Sequence, residues 1–225
     1  MKFDNIYILV PAFNEAKIIR IILIALLERF PNVVVINDGS TDNIMEATKD
    51  LDITLLNHEI NLGVGAAVQT GFDYVQRIPL SYAAITFDAD GQHSVEDAIS
   101  IAKAIQLCEE EIIFGSRFIE HDKNIPFIKR NVLRFVTLFT KIATGIKLTD
   151  AHNGLKAYEV SAIKKLKLRF SGYSYESELI TEVAKKKISY KELSTNVKYT
   201  EYSLKKGQKL TNGLLIIEDL LKLWK

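Results

Sequence analysis

Short aliphatic and β-branched runs alternate with segments of helical apolar spacing through the first hundred residues, and this alternation restricts the fold more than any other feature of the chain. Strands are expected at Ile6–Pro11, Val33–Asn37, Ile53–Asn57 and Ala83–Asp88, and a further one near Ile112–Gly115. Helices are expected between them, at about Glu15–Arg29, Thr41–Lys49, Val64–Val75 and Val95–Lys103. Strands that are apolar throughout must be covered on both faces, and parallel neighbours need a crossover helix. The pattern therefore predicts an α/β protein with an open, mostly parallel twisted sheet flanked by helices. The first, second and fourth strands end in Phe13-Asn14-Glu15, Asp38-Gly39-Ser40 and Asp88-Ala89-Asp90. Such sheets bind ligands beyond the carboxyl ends of their strands, where loops and helix N-termini meet, so three polar loops on one edge imply one site.

After Arg117 the pattern changes to a basic amphipathic stretch, Asn124–Thr144, a turn-like segment, Thr149–Gly154, and shorter alternating elements. The last fifteen residues, Thr211–Lys225, set Leu214, Ile217, Leu221 and Trp224 at helical spacing; they read as a closing helix, docked on the core or lying on an interface. With 225 residues and neither linker nor repeat, one domain is expected. A lone cysteine, Cys108, excludes an internal disulfide and a cysteine-based zinc site, and suits a reducing compartment. No apolar run reaches the ~18 residues that span a bilayer, and the start Met-Lys-Phe-Asp-Asn lacks the order of a signal peptide.

A net charge of +1 argues against wholesale binding of nucleic acid, yet it is a sum of opposites. Met1–Gly154 carries 14 basic and 20 acidic residues, net −6, whereas Leu155–Lys225 carries 15 basic and 8 acidic, net +7. A basic tail attracts anionic headgroups or phosphorylated acceptors.

The sharpest local feature is Phe87-Asp88-Ala89-Asp90-Gly91-Gln92-His93. Two carboxylates one residue apart at a strand end can hold a hard divalent cation through oxygen, with Gln92 or His93 as a further ligand and water and substrate phosphates completing the shell. Three other segments accompany it: Pro11-Ala12-Phe13-Asn14-Glu15, Asn37-Asp38-Gly39-Ser40-Thr41-Asp42, and Asn61-Leu62-Gly63-Val64-Gly65-Ala66-Ala67. The last lacks the third glycine of a dinucleotide-binding turn, which argues against a dehydrogenase.

In their order and spacing these four motifs resemble glycosyltransferase family 2, from about Ile6 to Leu210, and specifically its polyprenyl/dolichyl-phosphate sugar transferase branch. The resemblance implies the GT-A fold, a Rossmann-like nucleotide-and-metal half (about 1–117) and an acceptor half (about 118–210). It implies that Pro11, Ala12, Asn14, Glu15, Gly65 and Ala89 shape the nucleotide pocket, that Asp38 hydrogen-bonds base or ribose, and that Asp88, Asp90 and Gln92 hold Mg2+ or Mn2+ on the donor diphosphate. Arg117, after the fifth strand, and Arg130, on the amphipathic stretch, match arginines facing the acceptor phosphate or the diphosphate; two such forks converging suit an anionic acceptor. Asp150 matches the acidic position of an acceptor-side segment, with Leu155 in place of the usual Phe, and can act as base or orient the acceptor. Glu176 and Glu178 stand where relatives place another acid. Lys205 and Lys206 fall in a loop that closes over the diphosphate in relatives, although dolichol-phosphate mannose synthases carry an arginine there.

The expectation is an inverting, metal-dependent glycosyltransferase that moves a sugar from a nucleoside diphosphate, UDP favoured, to a polyprenyl phosphate. It would act as a peripheral protein on the cytoplasmic face of the plasma membrane, held by the basic tail, by the amphipathic segments, or by a small membrane-anchoring protein; a homodimer is a further use for an apolar stripe. A growing capsular, teichoic or other surface polysaccharide is the alternative acceptor. A sugar-nucleotide-binding protein without catalysis is a more distant reading, against which Asp88, Asp90 and Arg117 count. A nucleotidylyltransferase would need a glycine-rich basic loop where Pro11–Glu15 stands.

Overall fold

The continuous apolar runs form the centre of a seven-stranded sheet in a computed structural model that describes residues 3–120, 125, 127–172 and 174–198. The elements are β1 (Ile6–Ala12), α1 (Ile19–Leu27), β2 (Asn32–Asp38), α2 (Ile44–Thr48), β3 (Thr54–His58), α3 (Val64–Val75), β4 (Ala83–Thr86), α4 (Val95–Leu107) and β5 (Ile112–Ser116). There follow α5 (Phe127–Thr144), β6 (Lys156–Glu159), α6 (Val160–Ile163), α7 (Tyr175–Lys186) and β7 (Tyr190–Ser194). The closing helix expected at Thr211–Lys225, and the loop carrying Lys205 and Lys206, lie outside the described residues.

The sheet runs β3-β2-β1-β4-β6-β5-β7. Neighbours from β3 to β4 are parallel, as are β5 and β7, while β6 runs antiparallel to both β4 and β5. Register follows from two-sided burial. Along β1, Ile6, Ile8 and Val10 face the side covered by α1 and α4, where Leu23, Leu26, Ile101 and Ile105 pack; Leu9 faces the side covered by α3 and α7, with Val68, Phe72 and Leu179. Each such fully buried side chain stabilises by roughly 1.5–3 kcal/mol. The helix α5 packs against α7, and its Val136 gathers with Val132 and Phe139 in a small cluster apart from the two main ones.

Two helices start later than periodicity implies, because side chains claim the backbone there. Asn14 Oδ1 accepts from Thr41 N and Asp42 N, so α2 begins at Ile44 and not at Thr41. Asp42 Oδ2 takes Ala16 N, and α1 begins at Ile19 and not at Glu15. These bonds tie the loop after β1 to the loop after β2. The fourth strand is also shorter, leaving the ladder after Thr86, whose hydroxyl donates to Gly154 O at 2.7 Å. Among the described residues no helix is long and apolar enough to cross a membrane.

Candidate active site

The carboxyl ends of β1, β2 and β4 open into a cleft of about 570 Å3, within the few hundred to a thousand Å3 typical of small-molecule sites. It is lined by Pro11, Ala12, Phe13, Glu15, Asp38, Asn61 and Gly63, by Asp88, Ala89, Asp90 and Gln92, and by Arg117, Leu133, His152, Gly154, Tyr175 and Glu176, with Tyr175 packed beside Gly65.

Asp38 ends β2 almost fully buried. Its Oδ1 accepts Leu62 N at 2.9 Å, its Oδ2 accepts Gly63 N at 2.8 Å, and His58 Nδ1 lies 2.7 Å from Oδ1. His58 Nε2 is 2.9 Å from the Thr70 hydroxyl. The carboxylate thus pins the Asn61–Gly63 loop as a wall of the cleft, a task that sequence reasoning assigned to none of its neighbours. Asn14, expected in the pocket, spends its side chain on Thr41 and Asp42 and does not line the cleft. Nor does Gly65, which serves the packing of α3: its N donates to Ser171 O, and a Cβ there would come within 2.1 Å of Phe170 O.

Asp88 and Asp90 have unlike surroundings. Asp88 Oδ2 lies 3.2 Å from His93 Nε2 and rests on the backbone at Gly154, where a Cβ would stand 2.0 Å from that oxygen. Burial pushes Asp88 up, but His93, Lys156 and Arg117 outweigh it and hold the carboxyl below the usual range. Asp90 accepts Gln92 N at 3.0 Å and Gln92 Nε2 at 2.5 Å. Burial and the neighbouring Asp88 anion push it up to about 6, against the pull of Gln92. Among the described residues no lysine or arginine pairs with Asp90, and no three His, Cys, Asp or Glu side chains cluster as a metal cage. Two convergent carboxylates, one short of countercharge, are a donor set that fits a hard divalent cation whose remaining ligands come from phosphate and water.

The opposite wall is compensated internally. Arg117 Nε donates to Asp150 Oδ2 at 2.6 Å, and Nη2 donates to Asp150 Oδ1 and to the carbonyl of His152. Burial raises Asp150, and the Arg117 guanidinium more than reverses this. Asp150 is fully buried behind Arg117 and off the cleft surface, so it orients the arginine and is poorly placed to take a substrate proton. Arg130 lies on α5 outside the cleft lining, its guanidinium 5.5 Å from the Phe127 ring; one turn on, Leu133 reaches the cleft instead.

Lys156, absent from the sequence expectations, is fully buried at the start of β6 and sets Nζ 2.5 Å from Glu176 Oε2, while Tyr175 donates to Glu176 Oε1 at 2.8 Å. Burial pushes the Glu176 carboxyl up despite Lys156. Glu178 instead takes the N–H groups of Arg169 and Phe170, holding the loop before α7. His152 lines the cleft between these cations; burial, then Lys156, lower it to about 4, so its ring is neutral at pH 7. A lysine two residues after Gly154, at the start of one of the short alternating elements, is the signal the sequence offers for this floor.

Fold and cleft together define the class, a GT-A glycosyltransferase. The chain matches glucosyl-3-phosphoglycerate synthase of Mycobacterium tuberculosis, solved with Mn2+, UDP and glucosyl-3-phosphoglycerate, with a TM-score of 0.70 over 96% of this chain and 80% of that one, at 13% identity. Residues 7–167 match the model of glycosyl transferase family 2, and the chain belongs to that family. It is 31% identical to the UDP-N-acetylglucosamine–dolichyl-phosphate N-acetylglucosaminyltransferase of Methanococcus voltae, over 97% of this chain and 95% of that protein. It is 24% identical to the undecaprenyl-phosphate mannosyltransferase of Micrococcus luteus, over 79% and 76% of the two chains.

Proposed function

We propose that the protein transfers a sugar from a UDP-sugar to a polyprenyl phosphate, with inversion at the anomeric carbon, at the cytoplasmic face of a membrane. One observation carries the reading: a single cleft sets Asp88 and Asp90, the latter short of countercharge, together with the buried, carboxylate-braced Arg117. Relatives named for dolichyl and undecaprenyl phosphate support the acceptor, and neighbours solved with UDP and Mn2+ or Mg2+ support donor and cofactor.

In this reading the nucleoside lies along Pro11, Ala12, Phe13 and the loop pinned by Asp38. Asp88 and Asp90 hold Mg2+ or Mn2+, with Gln92 beside them. The cation, when bound, stabilises the negative charge that grows on the departing diphosphate. Arg117 sits across the cleft, and Asp150 fixes the plane in which its guanidinium meets an anion. An acceptor phosphate oxygen attacks the anomeric carbon from the face opposite the diphosphate; the new C–O bond forms as the bond to the nucleotide breaks. A phosphate acceptor is already an anion and needs no base, consistent with an Asp150 committed to Arg117. Glu176, on the cleft surface with raised proton affinity, favours a second reading in which a saccharide hydroxyl is the acceptor and Glu176 takes its proton.

Purified protein is to be incubated with radiolabelled UDP-N-acetylglucosamine, UDP-glucose or GDP-mannose, each with a polyprenyl phosphate or an oligosaccharide and with Mn2+ or EDTA. Label entering an organic-soluble product only from a UDP-sugar and only with metal supports the proposal. Label in a water-soluble saccharide alone overturns it in favour of the second reading.

A further inference from the structure

The helix α5 departs from the economy of the rest of the molecule. Phe127, Ile128, Phe135, Leu138 and Ile142 are 68, 64, 59, 53 and 70% exposed. At 3.6 residues per turn these five, with Asn131 among them, cover one strip about 100° wide. The core-facing side of the same helix is a different set, with Leu133, Val136 and Thr140 buried. The helix holds four basic residues, Lys129, Arg130, Arg134 and Lys141, and no acidic one. Arg130, Arg134 and Lys141 fall within about 40° of one another on the wheel, along one border of the apolar strip. The Arg134 guanidinium lies 5.6 Å from the centre of the Phe118 ring and that of Arg130 5.5 Å from Phe127, so both cations sit over aromatic faces.

A strip of this area facing water is costly, and its border selects the occupant. A wholly basic border repels a basic partner and matches an anionic plane. Aromatic and aliphatic side chains flanked by a row of lysine and arginine are the make-up of a helix that lies in a membrane interface. We propose that α5 docks on the anionic surface of a lipid bilayer, with Phe127, Ile128, Phe135, Leu138 and Ile142 entering the headgroup–acyl boundary and Arg134 and Lys141 on lipid phosphates. The inference rests on the lipid-acceptor reading and adds its geometry. Leu133, on the opposite, core-facing side of the helix, lines the cleft, so α5 on a bilayer sets the cleft one helix diameter, ~10 Å, from the headgroup layer.

The test uses the full chain and sedimentation with vesicles of phosphatidylcholine, alone or with about one-third phosphatidylglycerol, and needs no turnover. The wild type is expected to sediment with the anionic vesicles and to be released by high salt. The triple variant Phe135→Asp/Leu138→Asp/Ile142→Asp is expected to lose at least about tenfold in partitioning. Arg134→Gln and Lys141→Gln should each lose about fivefold, on anionic vesicles only. Circular dichroism and activity on a detergent-dispersed short-chain polyprenyl phosphate should stay at wild-type values in all three. Vesicle binding that survives the triple substitution, or absence of wild-type binding, overturns the proposal. So does a wild-type dimer that the triple variant converts to monomer without a change in vesicle binding, since a second copy then covers the strip. Failure to glycosylate any polyprenyl phosphate, with vesicle binding intact, breaks the acceptor reading and leaves the docking surface standing.

Discussion

The two sides of the cleft solve the problem of buried charge in opposite ways. Beside Arg117 and β6 two buried acids have their own cations: Asp150 has Arg117 and Glu176 has Lys156. In the middle, Asp88 leans on His93 while Asp90 has the amide groups of Gln92, a weaker pull from His93 and a like charge beside it. Balanced pairs hold a shape; an unbalanced carboxylate stores a demand for positive charge, which a divalent ion and its phosphates can meet. The contrast separates scaffolding from chemistry around one pocket, where the sequence alone gives Asp88, Asp90, Asp150 and Glu176 equal standing.

Breaking the balanced side should have the largest effect. Lys156→Met leaves Glu176 buried without its cation and is expected to cost about 3–5 kcal/mol in chemical denaturation. Adding Glu176→Gln should recover most of that loss, because removing both charges leaves neither stranded. A double variant no more stable than the single one would show that the pair is not balanced internally.

On the unbalanced side the sign reverses. Asp90→Asn should reduce metal-dependent transfer by about 100-fold or more. It should also raise the metal-free melting temperature, because a carboxyl whose folded value is raised to about 6 destabilises the fold wherever it is ionised. The gain, on the order of 1 kcal/mol, is present at pH 7 and should vanish as pH falls through about 6 toward the ordinary carboxylate range, where the wild-type side chain is itself neutral. A loss of both activity and stability would place Asp90 with the scaffolding acids.

Proton and metal then compete for one site. Mn2+ affinity measured by calorimetry with UDP present should weaken by up to about tenfold per pH unit below about 6. The Arg117–Asp150 pair, held ionised well below that range, should leave the fold unchanged over the same interval. The smallest effect on catalysis is expected at Asn14→Ala, which removes one of the ties between the first two loops and should cost about 1–2 kcal/mol of stability with little change in the metal dependence of the rate.

The sequence expectations and the structure agree most where local pattern and burial coincide. Val64–Val75 is helical over the predicted span, and the first, second and third strands differ by a residue or two. The loops after β1, β2 and β4 converge as their polar endings implied. Agreement fails where a side chain has two uses that look alike in one dimension. Asn14 and Gly65 sit in motifs that line the cleft, yet one bonds a neighbouring loop and the other makes room for Phe170. Arg117 and Arg130 have the same chemistry, but of the two only Arg117, just past the end of β5, reaches the cleft.

What the sequence by itself determined is the alternation of buried strands and covering helices, the edge on which polar loops collect, and the presence there of two carboxylates one residue apart. Each is a local or periodic property, written in neighbours along the chain. Only the tertiary structure decided which acids are answered by a cation. Asp150 meets Arg117 across 33 residues and Glu176 meets Lys156 across 20, and ionic balance in a low-dielectric pocket depends on distances of a few ångströms that no spacing rule encodes.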